Sequence, residues 1–195
     1  MNLKDLEIIL ASASPRRREL LEQVGFQVRV VPSFISEGAP SDSDYPVHVR
    51  DIAKQKASKV AGEYPGHLVL GADTIVVCDN QPLGKPKDAA DVRYMLNSLS
   101  GTWHQVISGI CLLKVSDGLE VVDHAVTDVR FYPLTPQEIE DYIQSGEPFD
   151  KAGAYGIQGL GARFVQEVRG CFYNVVGLPL GILWQHVKHL SEVNP

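Results

Sequence analysis

The sequence contains few cysteines and no long hydrophobic run. Its 195 residues include three cysteines, an odd number, which lie far apart at Cys78, Cys111 and Cys171. This distribution argues against a disulfide framework or a metal–thiolate cluster and favours reduced thiols in the core. No apolar stretch approaches the roughly 20 residues that cross a bilayer. We therefore expect no membrane span and a reducing compartment, the cytoplasm.

An excess of positive charge is also missing. The formal net charge is −6, which argues against a general affinity for nucleic acid or for an anionic membrane surface. The chain also lacks a Walker A sequence, a dinucleotide-binding glycine fingerprint and a GxSxG nucleophile motif. Covalent catalysis and the common nucleotide-binding loops are thus not predicted, and a local cluster of basic residues would suit a small anion.

What the sequence does contain is an alternation of strand and helix patterns. Hydrophobic residues make up 44% and charged residues 22% of the chain, which is ordinary for a globular protein. Apolar runs predict strands at 6–10, 26–32 and 67–78, a hairpin of 103–115 with 120–134, and a last strand ending at Val168. Helical patterns begin at about Pro15, Val47, Asp88, Thr135 and Leu180. This order predicts a mixed α/β protein, with residues 1–195 as one domain.

The helix predicted to begin at Pro15 carries three arginines, 16–18, in its first turn. Ser14 is a good N-cap, and proline suits the first helical position. The first turn leaves N–H groups unpaired and carries the positive end of the helix dipole, so cations are disfavoured there. A bound anion would reverse that penalty, and a strand, a small-residue turn with Ser12 and a helix together are typical of phosphate binding. Solvated arginines on an ordinary capped helix are the alternative.

Two ionisable residues interrupt apolar patterns. Lys56 falls within the apolar stripe of the second predicted helix, so its side chain either snorkels past a small core or points to negative charge in a cleft. Since an apolar side chain would suit the stripe, Lys56→Met is expected to cost little stability. Asp73 interrupts the third predicted strand, where a carboxylate needs either backbone amides or a functional partner. Glu37 would supply a second oxygen ligand for a hard cation, and Lys85 follows a turn that returns the chain toward Asp73.

Six motifs in series resemble one family. In chain order they are SASPRRREL, GADTIVV, LGKP, LSGTWHQVISG, DKAGAYGIQGLG and YNVVGLPL. They are similar to the motifs of the Maf proteins, nucleoside triphosphate pyrophosphatases first named for inhibition of septum formation, and they cover nearly the whole chain. The resemblance implies a two-lobed α/β fold with a mixed sheet, flanking helices and a central cleft, similar to the inosine triphosphate pyrophosphatases. It also implies a homodimer that splits a nucleoside triphosphate into monophosphate and pyrophosphate with a divalent cation, Mg²⁺ or Mn²⁺.

The resemblance assigns site residues position by position. The residues implied to bind substrate are Ser12, Arg16, Arg17, Lys56, Thr74, Lys85 and Gln158. Those implied to be catalytic are Asp73, as proton acceptor, with Arg16, Lys56 and Lys85. Glu37 and Asp73 are implied to hold the metal. Two roles of Asp73 therefore stay open, that of general base and that of metal ligand.

Gln158, in the segment AYGIQG, bears on which base is recognised. Its amide can accept from the N3–H of uracil or thymine, whereas cytosine presents an acceptor at that position. The resemblance accordingly implies the subgroup that acts on dTTP and UTP. Two alternatives stay open, the subgroup that acts on 7-methyl-GTP and a nucleotide-binding regulator of septum formation that acts through a partner.

Overall fold

The computed structural model describes residues 7–36, 38 and 44–193, and its elements follow the predicted alternation. The strands are β1 (Glu7–Leu10), β2 (Gln27–Val30), β3 (Leu68–Cys78), β4 (Gln81–Leu83), β5 (Trp103–Lys114), β6 (Leu119–Phe131) and β7 (Val165–Arg169). The α-helices are α1 (Pro15–Gln23), α2 (Tyr45–Ala61), α3 (Ala89–Leu99), α4 (Pro136–Gln144), α5 (Phe172–Val176) and α6 (Leu180–Val193).

The seven strands form one mixed sheet, which confirms the predicted α/β class. Their order is β2-β1-β3-β5-β6-β7, and β4 pairs with β3. Strand β1 is parallel to both β2 and β3, as expected where helices connect consecutive strands. Strand β4 returns antiparallel along β3, and β7 runs antiparallel to β6. The two long runs predicted as a hairpin are the neighbouring strands β5 and β6.

Helix ends agree with most of the predicted caps. The Asp88 carboxylate accepts hydrogen bonds from the N–H groups of Ala90 and Asp91, and Thr135 with Glu138 forms the predicted capping box. Ser14 differs. It occupies the N-cap position of α1, but within the described chain its side chain makes no capping hydrogen bond. Its own N–H group instead donates to the Ser12 hydroxyl at 3.3 Å.

Short elements in, just before and after the glycine-rich stretch, residues 150–164, were not predicted. Helix α5 and three 3-10 helices, Glu147–Asp150, Ala152–Ala154 and Gly159–Phe164, are three to six residues long. Such lengths are too short to show hydrophobic periodicity, and tertiary contacts decide their conformation.

The chain divides into two compact units, in agreement with the two lobes that the resemblance implies. The first consists of Met1–Asp73, Ser108–Ala125 and Gly177–Pro195, and the second of Thr74–Ile107 and Val126–Val176. Within the described ranges, no helix is both long and apolar enough to cross a bilayer. Cys78 and Cys111 are buried thiols, as predicted, and Cys171 is partly exposed.

Small residues bring helix α2 close to the sheet in the first unit. Its core includes Ile9, Ala11, Ala53, Ala57, Val60, Ala61, Val69 and Cys111. A Cβ atom added to Gly71 in β3 would lie 2.1 Å from the carbonyl oxygen of Ala53, and one added to Gly109 in β5 would lie 2.3 Å from that of Val49. Glycine is therefore required at both points of contact between α2 and the sheet.

The second unit is built around aromatic side chains. Phe131 contacts Tyr155, Phe164 and the His104 ring, and Tyr142 contacts Phe164 edge-on. Leucine and methionine side chains of α3 complete this core. Because such rings bury a large area in defined geometries, they support the irregular glycine-rich stretch that has little regular hydrogen bonding of its own.

Candidate active site

The predicted site residues of the first unit that the structure describes lie near the carboxyl end of β1, where its parallel pairing with β3 stops at Leu10 and Leu70. The Ala11 N–H group donates to the carbonyl of Leu70, and the Val31 N–H group donates to that of Leu10. The turn after β1, the segment after β2 and residues 71–73 of β3 are consequently adjacent at one edge of the sheet. This edge is the usual place for ligands in open α/β sheets.

Lys56 and Asp73 meet at this edge as a buried ion pair. The Lys56 ammonium lies 2.8 Å from the Asp73 carboxylate and 3.3 Å from the Ala72 carbonyl oxygen. Each residue is 6% exposed. Lys56 thus points to negative charge instead of snorkelling to water, and this charge is the Asp73 carboxylate of the protein itself. The partner that Asp73 requires in its apolar strand is this lysine.

Arg17 ties three segments of the first unit together. Its Nη1 donates to the Ser12 hydroxyl at 3.0 Å and to the Ala72 carbonyl at 2.9 Å. Its Nε donates to the Gly177 carbonyl at 2.9 Å, and the residue is 9% exposed. Arg17 therefore holds the turn after β1 against the residue that precedes Asp73. Its implied contact with phosphate stays a prediction beside this scaffolding role.

Arg16 and Ser12 belong to the same turn. Arg16 is half-buried in the first turn of α1, and Ser12 is buried with its hydroxyl accepting from both Arg17 and the Ser14 N–H group. The first turn thus places Arg16 and Arg17, two of its three arginines, at a helix start that the Ser14 side chain leaves uncapped within the described chain. This chemistry suits a phosphate oxygen.

Glu37 lies outside the described residues, so its predicted metal-binding role receives no structural account. Among the residues that the structure does describe, no three His, Cys, Asp or Glu side chains are grouped so as to hold a metal ion. Asp73 is the predicted metal ligand that is described, and its carboxylate is a hard oxygen donor of the kind that Mg²⁺ and Mn²⁺ prefer.

Thr74, Lys85 and Gln158, the remaining predicted residues, belong to the second unit. Thr74 follows Asp73 in β3 and is half-buried, whereas Lys85 is exposed just beyond β4. Gln158 is exposed in the glycine-rich stretch, between Ile157, which is buried, and Gly159, which has a φ of +79°. The buried Ile157 thus holds the backbone on the N-terminal side of Gln158, while the Gln158 side chain faces outward.

Sequence reasoning missed two polar groups of the second unit. The Glu147 carboxylate accepts hydrogen bonds from the Leu160 and Gly161 N–H groups just beyond Gln158, at 2.8 and 3.2 Å. His104, 2% exposed, lies 2.7 Å from the Tyr155 hydroxyl, and burial lowers its pKa to about 3. A histidine inside the apolar run of β5 was a detectable signal, as Asp73 was in β3. Glu147 had none, because two of its three hydrogen-bond donors are backbone N–H groups and the third, the Tyr142 hydroxyl, is brought to it only by the fold.

Comparison with known proteins gives one family profile, described as a Maf-like protein, which matches residues 7–190. A protein of Ruminiclostridium cellulolyticum named dTTP/UTP pyrophosphatase is 47% identical over 95% of this chain and 96% of its own length. Proteins of the same name are 46% identical in Clostridioides difficile, over 97% of each chain, and 51% identical in Citrifermentans bemidjiense, over 91% of this chain and 92% of theirs. Among solved structures, the Staphylococcus aureus Ham1 protein is similar with a TM-score of 0.49 and 16% identity, over 82% of this chain and 79% of that one.

Proposed function

The chain belongs to the Maf family, and we propose that it hydrolyses nucleoside triphosphates, with dTTP and UTP preferred, to the monophosphate and pyrophosphate. The observation that carries this proposal is the sequence identity of 46–51%, over 91–97% of this chain, to relatives named dTTP/UTP pyrophosphatase. The cluster of Arg17, Lys56 and Asp73 near the carboxyl end of β1 supports it, since a triphosphate needs cations and its hydrolysis needs a positioned carboxylate.

Catalysis would be electrostatic and would form no covalent intermediate with the protein. Arg16 and the first turn of α1 would bind phosphate oxygens, and Lys56 would neutralise charge as it develops on the leaving pyrophosphate. Asp73 would orient the attacking water and accept its proton while the bond between the α- and β-phosphates breaks. Lys85 would add positive charge and Gln158 would recognise the base, as the resemblance implies.

A divalent cation would be held jointly by the protein and the substrate. Mg²⁺ is commonly bound through one or two carboxylates together with phosphates and water, so a protein site with three or more ligands is not required. Asp73, with Glu37, would hold the ion. When bound, Mg²⁺ or Mn²⁺ would neutralise phosphate charge. The proposal includes dependence on this metal ion and a location in the cytoplasm. It also includes a homodimeric state, which sedimentation velocity tests.

Pyrophosphate release over a panel of nucleotides tests the proposed function. We expect dTTP and UTP to be hydrolysed well above CTP, dCTP, ATP and 7-methyl-GTP, with activity in Mg²⁺ or Mn²⁺ and loss of activity in EDTA. Cytosine would leave a polar group of the site unpaired, and such a mismatch allows strong discrimination. Efficient cleavage of 7-methyl-GTP with UTP and dTTP untouched would assign the chain to the other subgroup. Nucleotide binding without turnover would favour a regulatory role.

A further inference from the structure

The Glu147 carboxylate gathers three hydrogen-bond donors beside the residue proposed to recognise the base. It accepts from the Tyr142 hydroxyl at 2.9 Å, the Leu160 N–H group at 2.8 Å and the Gly161 N–H group at 3.2 Å. Two of these donors are backbone groups that begin two residues after Gln158. The Glu147 side chain thereby connects Tyr142, near the end of α4, to residues 160 and 161 on the C-terminal side of Gln158.

The near side of the same stretch is held by the same pair of side chains. The Gly156 N–H group donates to the Tyr142 hydroxyl at 3.3 Å, and this hydroxyl donates to Glu147. Segment 156–161 is therefore fixed at both ends through one short network, with the exposed Gln158 between the two anchors.

The glycines of segment 156–161 fit closely around this network. Gly159 has a φ of +79°, and a Cβ atom there would lie 2.8 Å from Glu147 Oε2. A Cβ atom on Gly161 would lie 2.5 Å from the Gly156 carbonyl oxygen and 2.8 Å from the Tyr142 hydroxyl. A side chain at 161 would clash with the Gly156 backbone, and one at 159 would be strained by the positive φ and would displace the Glu147 carboxylate, so glycine at both positions allows the network to form.

Electrostatics favour the charged form of Glu147. Burial opposes ionisation, but the hydrogen bonds from the Leu160 N–H group, the Tyr142 hydroxyl and the Gly161 N–H group outweigh it. The pKa of Glu147 consequently lies below its ordinary value. At neutral pH the anchor is a carboxylate, whose hydrogen bonds to N–H groups are stronger than those of a neutral acceptor.

We propose that Glu147 is a positioning residue for base recognition, which acts by fixing the backbone of segment 156–161 so that Gln158 meets the base in one pose. This inference rests on the proposed function, in which Gln158 discriminates uracil and thymine from cytosine. A purely structural Glu147 would affect stability and leave the choice of base unchanged, so base selectivity is the property that separates the two roles.

The test is the ratio of kcat/KM for UTP to that for CTP in Glu147→Gln, with Glu167→Gln as the matched control. Glu167 is an exposed glutamate of the same unit whose side chain pairs with Arg169. We expect the ratio to fall about tenfold or more in Glu147→Gln and to stay unchanged in the control, since a displacement of about 1 Å can cost about 10²-fold. Amide hydrogen exchange of segment 156–161 should also become faster in Glu147→Gln.

Combination with Gln158→Ala shows whether Glu147 acts through Gln158. We expect Gln158→Ala to lower the ratio, and Glu147→Gln to lower it no further in that background, because both changes would remove the same contact. Folding is checked by circular dichroism and thermal unfolding. If Glu147→Gln does not fold, Tyr142→Phe, which removes the shared hydroxyl and keeps the ring, decides by the same ratio.

The outcomes separate the two proposals. A folded Glu147→Gln, or in its place Tyr142→Phe, with the wild-type ratio overturns the positioning role and leaves the proposed function standing. A wild-type protein that hydrolyses neither UTP nor dTTP overturns the proposed function, and the positioning role with it. A Gln158→Ala variant that keeps the wild-type ratio overturns base recognition by Gln158 and therefore also the positioning role.

Discussion

At the scale of single residues, the Lys56–Asp73 ion pair affects both stability and catalysis. Both side chains are more than nine-tenths buried, and their charged atoms are 2.8 Å apart. A buried ion pair contributes little net stability, because desolvation of the two charges offsets their attraction, but removal of one partner leaves an uncompensated buried charge. The pair therefore makes each residue sensitive to substitution for reasons of stability as well as catalysis.

Lys56→Met should destabilise the protein, contrary to the small effect expected from the sequence. Methionine suits the apolar stripe of α2, but it leaves the Asp73 carboxylate buried without its cation. We expect a loss of about 3–5 kcal/mol in the free energy of unfolding, measured by urea denaturation, and a higher KM for UTP. Adding Asp73→Asn should restore part of the stability. Unchanged stability in Lys56→Met would mean that the pair is not formed in solution.

Asp73→Asn should abolish turnover while the protein still folds. An asparagine side chain keeps an oxygen that accepts from Lys56 but can neither take a proton from water nor neutralise a cation as a carboxylate does. We expect kcat for UTP to fall by about 10²-fold or more. Asp128→Asn, which changes an aspartate of β6 that accepts from Gln105, is the control and should retain activity. Near wild-type kcat in Asp73→Asn would make Asp73 a structural residue.

At the scale of elements, the packing of α2 on the sheet brings Lys56 to Asp73. The helix presents Ala53 and Ala57 to β3, and Gly71 in that strand leaves space for the helix backbone. Because residues three apart also lie on one face of a helix, Lys56, three residues after Ala53, belongs to the turn that contacts Gly71. Close packing of two elements is thus the condition for the ion pair.

Gly71→Ala should separate α2 from β3 and weaken the site. The added methyl would lie 2.1 Å from the Ala53 carbonyl oxygen, so the helix has to move. We expect a loss of about 1–3 kcal/mol in stability and a lower kcat/KM for UTP. Gly181→Ala is the control, since a Cβ atom there has open space in helix α6, and it should raise stability by up to about 1 kcal/mol. Equal effects of the two substitutions would contradict the packing account.

At the scale of the whole molecule, the buried His104 should make stability depend on pH. Its pKa is about 3 in the folded protein and about 6.5 for an unperturbed histidine. Between these pH values the unfolded chain binds a proton that the folded chain does not. The free energy of unfolding therefore rises with pH across this window, and the stability that the neutral His104 contributes is lost as the pH falls through it. The Tyr155 hydroxyl and the aromatic core surround the ring.

The difference between wild type and His104→Gln isolates this contribution, because glutamine can bond to Tyr155 but does not titrate. From urea unfolding at pH 7, 6, 5 and 4, we expect wild type to lose up to about 1.4 kcal/mol per pH unit more than the variant below pH 6.5. His189→Gln, at an exposed position of α6, should follow wild type. Parallel profiles for wild type and His104→Gln would show that His104 titrates normally.

The sequence by itself determined what depends on near neighbours. The 3.6-residue period predicted α2 and the inward position of Lys56, capping residues predicted where α3 and α4 begin, and Asp73 was identified as unusual within its apolar strand. The helix and capping signals are readable because the interactions behind them join residues at most four apart. Asp73 is readable because it is a charge among apolar neighbours in the chain.

Only the tertiary structure decided which distant groups meet. Lys56 and Asp73 are 17 residues apart, and Arg17 reaches the carbonyl of Gly177 across 160 residues. The Glu147 carboxylate finds backbone N–H groups, which every residue except proline offers and which therefore leave no mark in the sequence. Such pairs follow from strand order and from how closely elements pack, and the free energy of packing depends on the whole chain, beyond any local pattern.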